Sequence, residues 1–178
     1  MSARCALACA LLAALSGCNA PRGRTIAVVP KANSHAFWQS VQAGAVAAGR
    51  EGGVEIAWNG AASETDYSRQ LQIVDAMIAR RVDGLAVAAS DRAALNASLA
   101  RARAAGIPVT VFDSGVDSPD YMTFVATDNY RAGKLAAREL ARLIGGRGEI
   151  AVVQHAPGSH SSMERDRGFF EAISEEFP

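Results

Sequence analysis

The sequence predicts an α/β fold, a parallel sheet with helices on both faces, and three observations predict it. Short apolar runs begin at residues 25, 54 and 84, about 29 residues apart, and an amphipathic stretch follows each, the period of a repeating βα unit. The runs are rich in Val, Ile and Ala, as strands buried on both faces require. Glycine and proline separate them, most clearly in Ala105-Gly-Ile-Pro-Val-Thr-Val-Phe-Asp-Ser-Gly115. Gly106 can take the left-handed conformation that closes a helix, Pro108 cannot continue one, and residues 109–112 start afresh as strand. Ligands of open parallel sheets bind beyond the carboxyl ends of the strands, so Asp113 and Ser114 mark a candidate site.

Taken in order, residues 25–29 are β-branched, end at Pro30 and form the first strand. Phe37, Val41, Ala45 and Ala48 recur at helical spacing before Gly49, with Gly52-Gly53 as the stop. Residues 54–58 alternate as a second strand, and 59–65 are a loop. Residues 66–80 are helical, with Leu71, Val74 and Ile78 on one face. The third strand is 84–88. Ser90 or Asp91 can cap a helix reaching Ala105, with Leu95, Leu99 and Ala102 inward, and the fourth strand follows.

After Asp113 the rhythm changes. Residues 116–120 are a loop, 121–125 a short strand, and Thr127-Asp128-Asn129 opens a helix over 130–144 whose buried face is Leu135, Leu140, Leu143 and Ile144. Gly145-Gly146-Arg147-Gly148 stops it, 149–153 are another strand, 154–162 a loop, and a last helix starts at Met163. One strand and two helices are too little for a second closed core. The chain therefore divides into a lobe at 25–126 and the opening of a second, unfinished lobe at 127–178.

Composition narrows the function. About half of the 178 residues are apolar (49%), and 18 Lys plus Arg balance 18 Asp plus Glu without a long run of one sign, which gives no footprint for nucleic acid. The turn after the first strand, Pro30-Lys31-Ala32-Asn33-Ser34, lacks the glycines of a dinucleotide site, and no P-loop is present. Gly158-Ser159-His160-Ser161-Ser162 lacks the elbow that exposes a serine nucleophile. What the strand-end loops do collect is Asn33, Ser34, His35, Phe37 and Trp38, then 59–64, Ser90 and Asp91, Asp113 and Ser114, and 154–165. Flat aromatics with carboxylate, amide and arginine partners suit a small polyhydroxylated ligand. Each has a plainer alternative. Phe37 and Trp38 open a helix, where only one of them can face the core squarely. His35 can be a surface residue, with no second His at metal-binding spacing. Asp113 can cap a turn, and Arg165 sits in Glu164-Arg165-Asp166-Arg167, a pattern typical of a solvated helix face.

In order and spacing, Ile26-Ala-Val-Val29, Phe37-Trp38-Gln-Ser-Val-Gln-Ala-Gly-Ala45, Val82-Asp-Gly-Leu85, Ala105-Gly-Ile-Pro-Val109, Phe112-Asp113, Ala126-Thr-Asp-Asn129 and Glu164-Arg165 before Gly168-Phe169 resemble one family. It is that of the periplasmic sugar-binding proteins of ABC transporters, ribose-binding type, which includes autoinducer-2-binding relatives. The resemblance implies two Rossmann-like lobes that close on a sugar by hinge motion, with no catalysis, cofactor or metal. It implies that Phe37 and Trp38 stack on the sugar ring, that Asp113 binds hydroxyls, and that Arg165 does so from the second lobe. Asp128 and Asn129 match the segment beside the first hinge crossing. Two positions depart from the ribose-binding pattern: His35-Ala36 stands in place of Asn-Pro, and Ser114 in place of Arg. The family's second lobe continues well beyond Pro178. The implied partners are a sugar or sugar-like ligand and an ABC permease. The alternative is a sensing module that hands its ligand-bound form to a chemoreceptor or histidine kinase.

All three cysteines, Cys5, Cys9 and Cys18, lie in the first eighteen residues, so no disulfide framework holds the body. Residues 1–4 are a short positive start, 5–15 an apolar run, and Leu15-Ser16-Gly17-Cys18 closes it, which resembles a bacterial lipoprotein signal (1–17) with lipid on Cys18 and a tether at 18–24. The run is shorter than the roughly 20 residues of a spanning helix. A periplasmic or cell-envelope protein anchored by lipid is the expectation, and an ordinary secretory signal is the alternative. Palmitate supplied to a bacterial host is expected to label the protein and to leave Cys18→Ala unlabelled; a label that survives the substitution rules the anchor out.

Overall fold

The computed structural model describes residues 23–177. The signal reading, the lipidation of Cys18 and most of the tether lie outside these residues.

Five parallel strands form one sheet: β1 (Thr25–Val29), β2 (Glu55–Trp58), β3 (Gly84–Val87), β4 (Val109–Phe112) and β5 (Thr123–Val125), in the order β2-β1-β3-β4-β5. This is the doubly wound order whose switch point lies between β1 and β3. Helix α1 (Ala36–Gly52) joins β1 to β2, α2 (Tyr67–Ala79) joins β2 to β3, and α3 (Asn96–Ala104) joins β3 to β4. Helices α4 (Asn129–Leu143) and α5 (His160–Glu176) follow the sheet.

Alternation along the strands sorts the two faces. Ala27, Val29, Leu85, Val87, Val109 and Val111 point one way into the main core, where Ile73, Val74 and Met77 of α2 and Leu99 and Ala102 of α3 meet them. Trp58 and Phe112 belong to the other face, against Trp38 and Val41 of α1. Caps set the helix starts. The Asp66 carboxylate accepts from the Arg69 N–H at 3.0 Å and that of Asp128 from the Arg131 N–H at 2.9 Å. Gly53, at φ +61°, closes α1.

Four expectations are corrected. Residues 149–153 are not a strand: a ladder needs a neighbour, none of the described residues offers one, and Val153 is 95% exposed. Helix α3 begins at Asn96, because Asp91 is used one turn earlier, accepting from the Ala93 and Ala94 N–H groups. Helix α5 begins at His160 rather than Met163, directly after Gly158 at φ +89° and the N-cap Ser159. The buried face of α4 is not leucine. Leu135, Leu143 and Ile144 are exposed, whereas Gly133, Ala137 and Ala141 are buried against α5.

That small-residue stripe lets the two backbones touch. A Cβ at Gly133 would overlap the Arg165 carbonyl oxygen, and one at Gly168 the Tyr130 carbonyl oxygen. Charged groups close the seam: Lys134 Nζ lies 2.6 Å from Glu171 Oε1, Arg138 grips both Glu176 oxygens, and the Arg167 guanidinium sits 4.0 Å over the Tyr130 ring. Hydrogen bonds from Lys134 and then Tyr130 hold the Glu171 carboxyl below its ordinary range, and the bonds of Lys134 to Glu171 and then to Tyr130 raise the lysine. No helix among the described residues is long and apolar enough to cross a membrane.

Gly168→Ala separates propensity from packing. Propensity alone favours alanine in a helix interior by up to about 1 kcal/mol. Overpacking of the seam reverses the sign, with an expected loss of about 1–3 kcal/mol, read as a lower melting temperature by circular dichroism. An unchanged or higher midpoint contradicts the close crossing.

Candidate functional site

A cavity of about 460 Å³ opens at the carboxyl ends of the strands. Lys31, His35, Phe37, Trp38, Glu64 and Asp113 line it from the sheet side, and Thr127, Asn129, His155, Ser161, Ser162 and Arg165 from the α4–α5 side. It lies where the doubly wound order predicts a ligand.

The loop after β1 is held rigid. The Asn33 side chain accepts from Trp58 Nε1 at 2.9 Å and donates to the Gly60 carbonyl at 2.7 Å, and a side chain on Gly60 would collide with Pro30 and Asn33. His35 caps α1, its Nδ1 accepting from the Phe37 N–H at 3.1 Å. The next two residues divide their roles. Trp38 is 2% exposed and packs into the α1 face, whereas Phe37 is 49% exposed and keeps a ring face free at the cavity wall. Their centroids are 4.8 Å apart in an edge-to-face arrangement that fixes the Phe37 ring. The Trp38 indole N–H donates to Glu64 Oε1 at 2.7 Å, and Glu64 Oε2 lies 3.4 Å from His155 Nε2.

Asp113 leaves β4 in the left-handed region, φ +59°, with its N–H bonded to the Val125 carbonyl at 2.9 Å. Few residue types tolerate that region, Asp among them, and such positions cluster at functional sites. Its carboxylate lies 3.3 Å from the ammonium of the buried Lys31. Ser114 does not join the lining. It is 0% exposed, and its hydroxyl accepts from the Ser161 N–H at 3.3 Å, so it docks α5 beneath the cavity wall. Across the cavity, the Arg165 guanidinium donates to Asn129 Oδ1 at 2.7 Å, and the Asn129 amide donates to the Thr127 carbonyl at 3.0 Å. Asp128 caps α4 and does not line the cavity.

The structure thus brings His35, Phe37, Trp38, Asp113, Asn129 and Arg165 together, and adds Lys31, Glu64 and His155. The sequence placed Glu64 and His155 in strand-end loops without singling them out, and read Lys31 only as a turn residue. A lysine directly after a buried strand was the available signal. Carboxylates, cationic donors and one free aromatic face can together grip a small molecule bearing several hydroxyls.

Residues 26–178 match the profile of the periplasmic binding protein domain. The chain belongs to that family. Among curated relatives, the D-ribose/D-allose-binding protein of Pseudomonas aeruginosa is 30% identical over 176 aligned residues, covering 93% of this chain and 55% of that protein. The ribose import binding protein of Bacillus subtilis is 31% identical over 107 residues, 60% of this chain and 35% of its own length. Among solved structures, a carbohydrate transporter solute-binding protein of Agrobacterium radiobacter in complex with D-arabinose superposes with a TM-score of 0.85 at 29% identity, covering 89% of this chain and 55% of that one. An ABC transporter solute-binding protein of Agrobacterium vitis with bound D-fucose gives 0.82 at 36% identity, covering 85% and 54%. The chain spans about half the length of these solved proteins. The landmarks that carried the resemblance all lie inside the matched span.

In this family member the Trp38–Glu64 hydrogen bond ties α1 to the loop after β2. Trp38→Phe keeps an aromatic ring but removes the pyrrole part of the indole with its N–H, leaving a small void and a partly buried carboxylate oxygen without its partner. The expected cost is about 1–2 kcal/mol, seen as a lower urea midpoint. An unchanged midpoint means that the bond is not made in solution.

Proposed function

We propose that this chain supplies one wall and part of the facing wall of a sugar-binding cleft in an exported, non-catalytic binding protein that delivers its ligand to an ABC transporter permease. The observation that carries this reading is the grouping, in one cavity, of a free Phe37 ring face with Asp113 on one side and Arg165 on the other. An aromatic face covers the C–H surface of a sugar, while a carboxylate and a guanidinium hydrogen-bond neighbouring hydroxyls in fixed geometry. The sugar ligands of the relatives named above support the same class.

In this reading residues 25–126 are the first lobe and 127–178 the opening of the second, with Asp128 and Asn129 beside the crossing. Asn129 suits that place, because it is the residue through which Arg165 is anchored. Ser114 acts as a joint for α5 rather than as a ligand group. Lipid on Cys18 would keep the protein at the membrane that holds the permease, on the periplasmic side.

Calorimetric titration of the full-length encoded protein with D-ribose, D-allose, D-arabinose and D-fucose tests the reading. At least one sugar is expected to bind. Phe37→Ala and Asp113→Ala are each expected to weaken that binding by roughly tenfold or more, the scale of one lost charged hydrogen bond or stacking face. A protein that binds none of these sugars, or binds equally well after both substitutions, overturns it.

A further inference from the structure

Lys31 sits against local preference. Its ammonium is buried, and it lies at the start of α5, where the helix dipole disfavours a cation and the first turn carries no acidic residue. Two hydrogen bonds and one ion pair nevertheless meet it. It donates to Ser159 Oγ at 2.9 Å and Ser161 Oγ at 3.0 Å, and the Asp113 carboxylate lies 3.3 Å away. Ser159 gives something up for this. It is the N-cap residue of α5, yet its side chain makes no capping bond to the helix, because its hydroxyl is held by Lys31.

Lys31 and its three partners come from three separate places in the chain. Lys31 follows β1, Asp113 follows β4, and the two serines open α5, which carries Arg165 one turn further on. Around the same loop the Gly158 carbonyl accepts from the Arg92 N–H at 2.9 Å and the Pro157 carbonyl from the Tyr67 hydroxyl at 3.1 Å. Those contacts hold backbone alone. Among the described residues, Lys31 reaches both a proposed ligand group, Asp113, and the helix that bears the other.

We infer that Lys31 is the positioning residue of this cavity: its ammonium orients the Asp113 carboxylate and, through Ser159 and Ser161, fixes the end of α5 from which Arg165 faces it. The spacing of the two proposed hydroxyl-binding groups is then set in part by this side chain, alongside the Ser114 and Asn129 contacts that also hold α5 and Arg165.

Two measurements on the full-length protein test this, and only the second rests on the sugar-binding reading. Hydrogen exchange without added sugar is expected to speed up by roughly tenfold or more at the bonded amides of Ser159, Ser161 and Met163 in Lys31→Met. Unchanged protection overturns the inference whatever the ligand. In titrations with whichever of the four sugars named above binds, Lys31→Met is expected to weaken binding by roughly 10- to 100-fold, and the loss is expected to be smaller in an Asp113→Asn background, because part of it acts through that carboxylate. Losses that simply add assign Lys31 a purely structural role. Should the wild-type protein bind none of the four sugars, the functional reading fails and exchange alone decides the inference. Should Lys31→Met fail to fold, Ser159→Ala with Ser161→Ala replaces it. That pair leaves the lysine–aspartate contact in place and is expected to raise exchange over the same amides; unchanged exchange overturns the inference.

Discussion

The buried Gln70 amide is the constraint on which the rest of the sheet end depends. It is 2% exposed, it donates to the Pro30 and Ala88 carbonyls at 3.1 and 2.8 Å, and it accepts from the Ser90 N–H at 3.0 Å. Those three backbone groups belong to the ends of β1 and β3, the point where the strand order reverses. The chains leaving β1 and β3 still share one bond, from the Ala88 N–H to the Val29 carbonyl at 3.0 Å, and beyond it they diverge and cannot satisfy one another's polar groups. Left unpaired in the interior, each costs about 1–3 kcal/mol. One side chain from α2 meets all three, and so fixes the origin of the loop that carries Lys31, His35 and Phe37.

How much of this was legible in the sequence follows from how local each cause is. The first four strands were, because β-branched runs bounded by Pro30, Gly84 or Pro108 carry their own start and stop. The opening of α4 at Asp128 was legible for the same reason, whereas Asp66, read as the first residue of its helix, is the cap before it. The face of α4 was not. Leu135 and Leu143 look like a buried stripe when only their spacing is weighed, but Gly133, Ala137 and Ala141 are the residues that permit close approach to α5, and approach is a property of two helices. Residues 149–153 fail in the same way, since strand character without a neighbouring strand has nothing to pair with.

The site divides along that line too. Phe37, Trp38 and Asp113 were readable from position alone, at the start of a helix and the end of a strand. Their separate tasks were not, because the split between a buried Trp38 and a half-exposed Phe37 is set by Glu64, which holds the indole from another loop. Ser114 was grouped with Asp113 by adjacency. The left-handed backbone at Asp113 places its carboxylate at the cavity and leaves the serine hydroxyl for α5. Lys31 was hidden for a different reason: its partners lie 82, 128 and 130 positions away, at Asp113, Ser159 and Ser161, and no pattern within its own loop points to them.

Packing and binding converge at Arg165. Its backbone carbonyl lies against Gly133, so one of the two closest contacts of the helix crossing falls at the residue whose side chain lines the cavity. One turn before Gly133, Asn129 accepts the Arg165 guanidinium, and its own amide is bonded to the Thr127 carbonyl in the segment leaving the sheet. A larger residue at 133 would therefore do more than loosen two helices. It would move the Arg165 backbone away from the Asn129 side chain that orients it. The small-residue stripe that hid the buried face of α4 from the periodicity is thus also what brings the guanidinium within reach of the sheet.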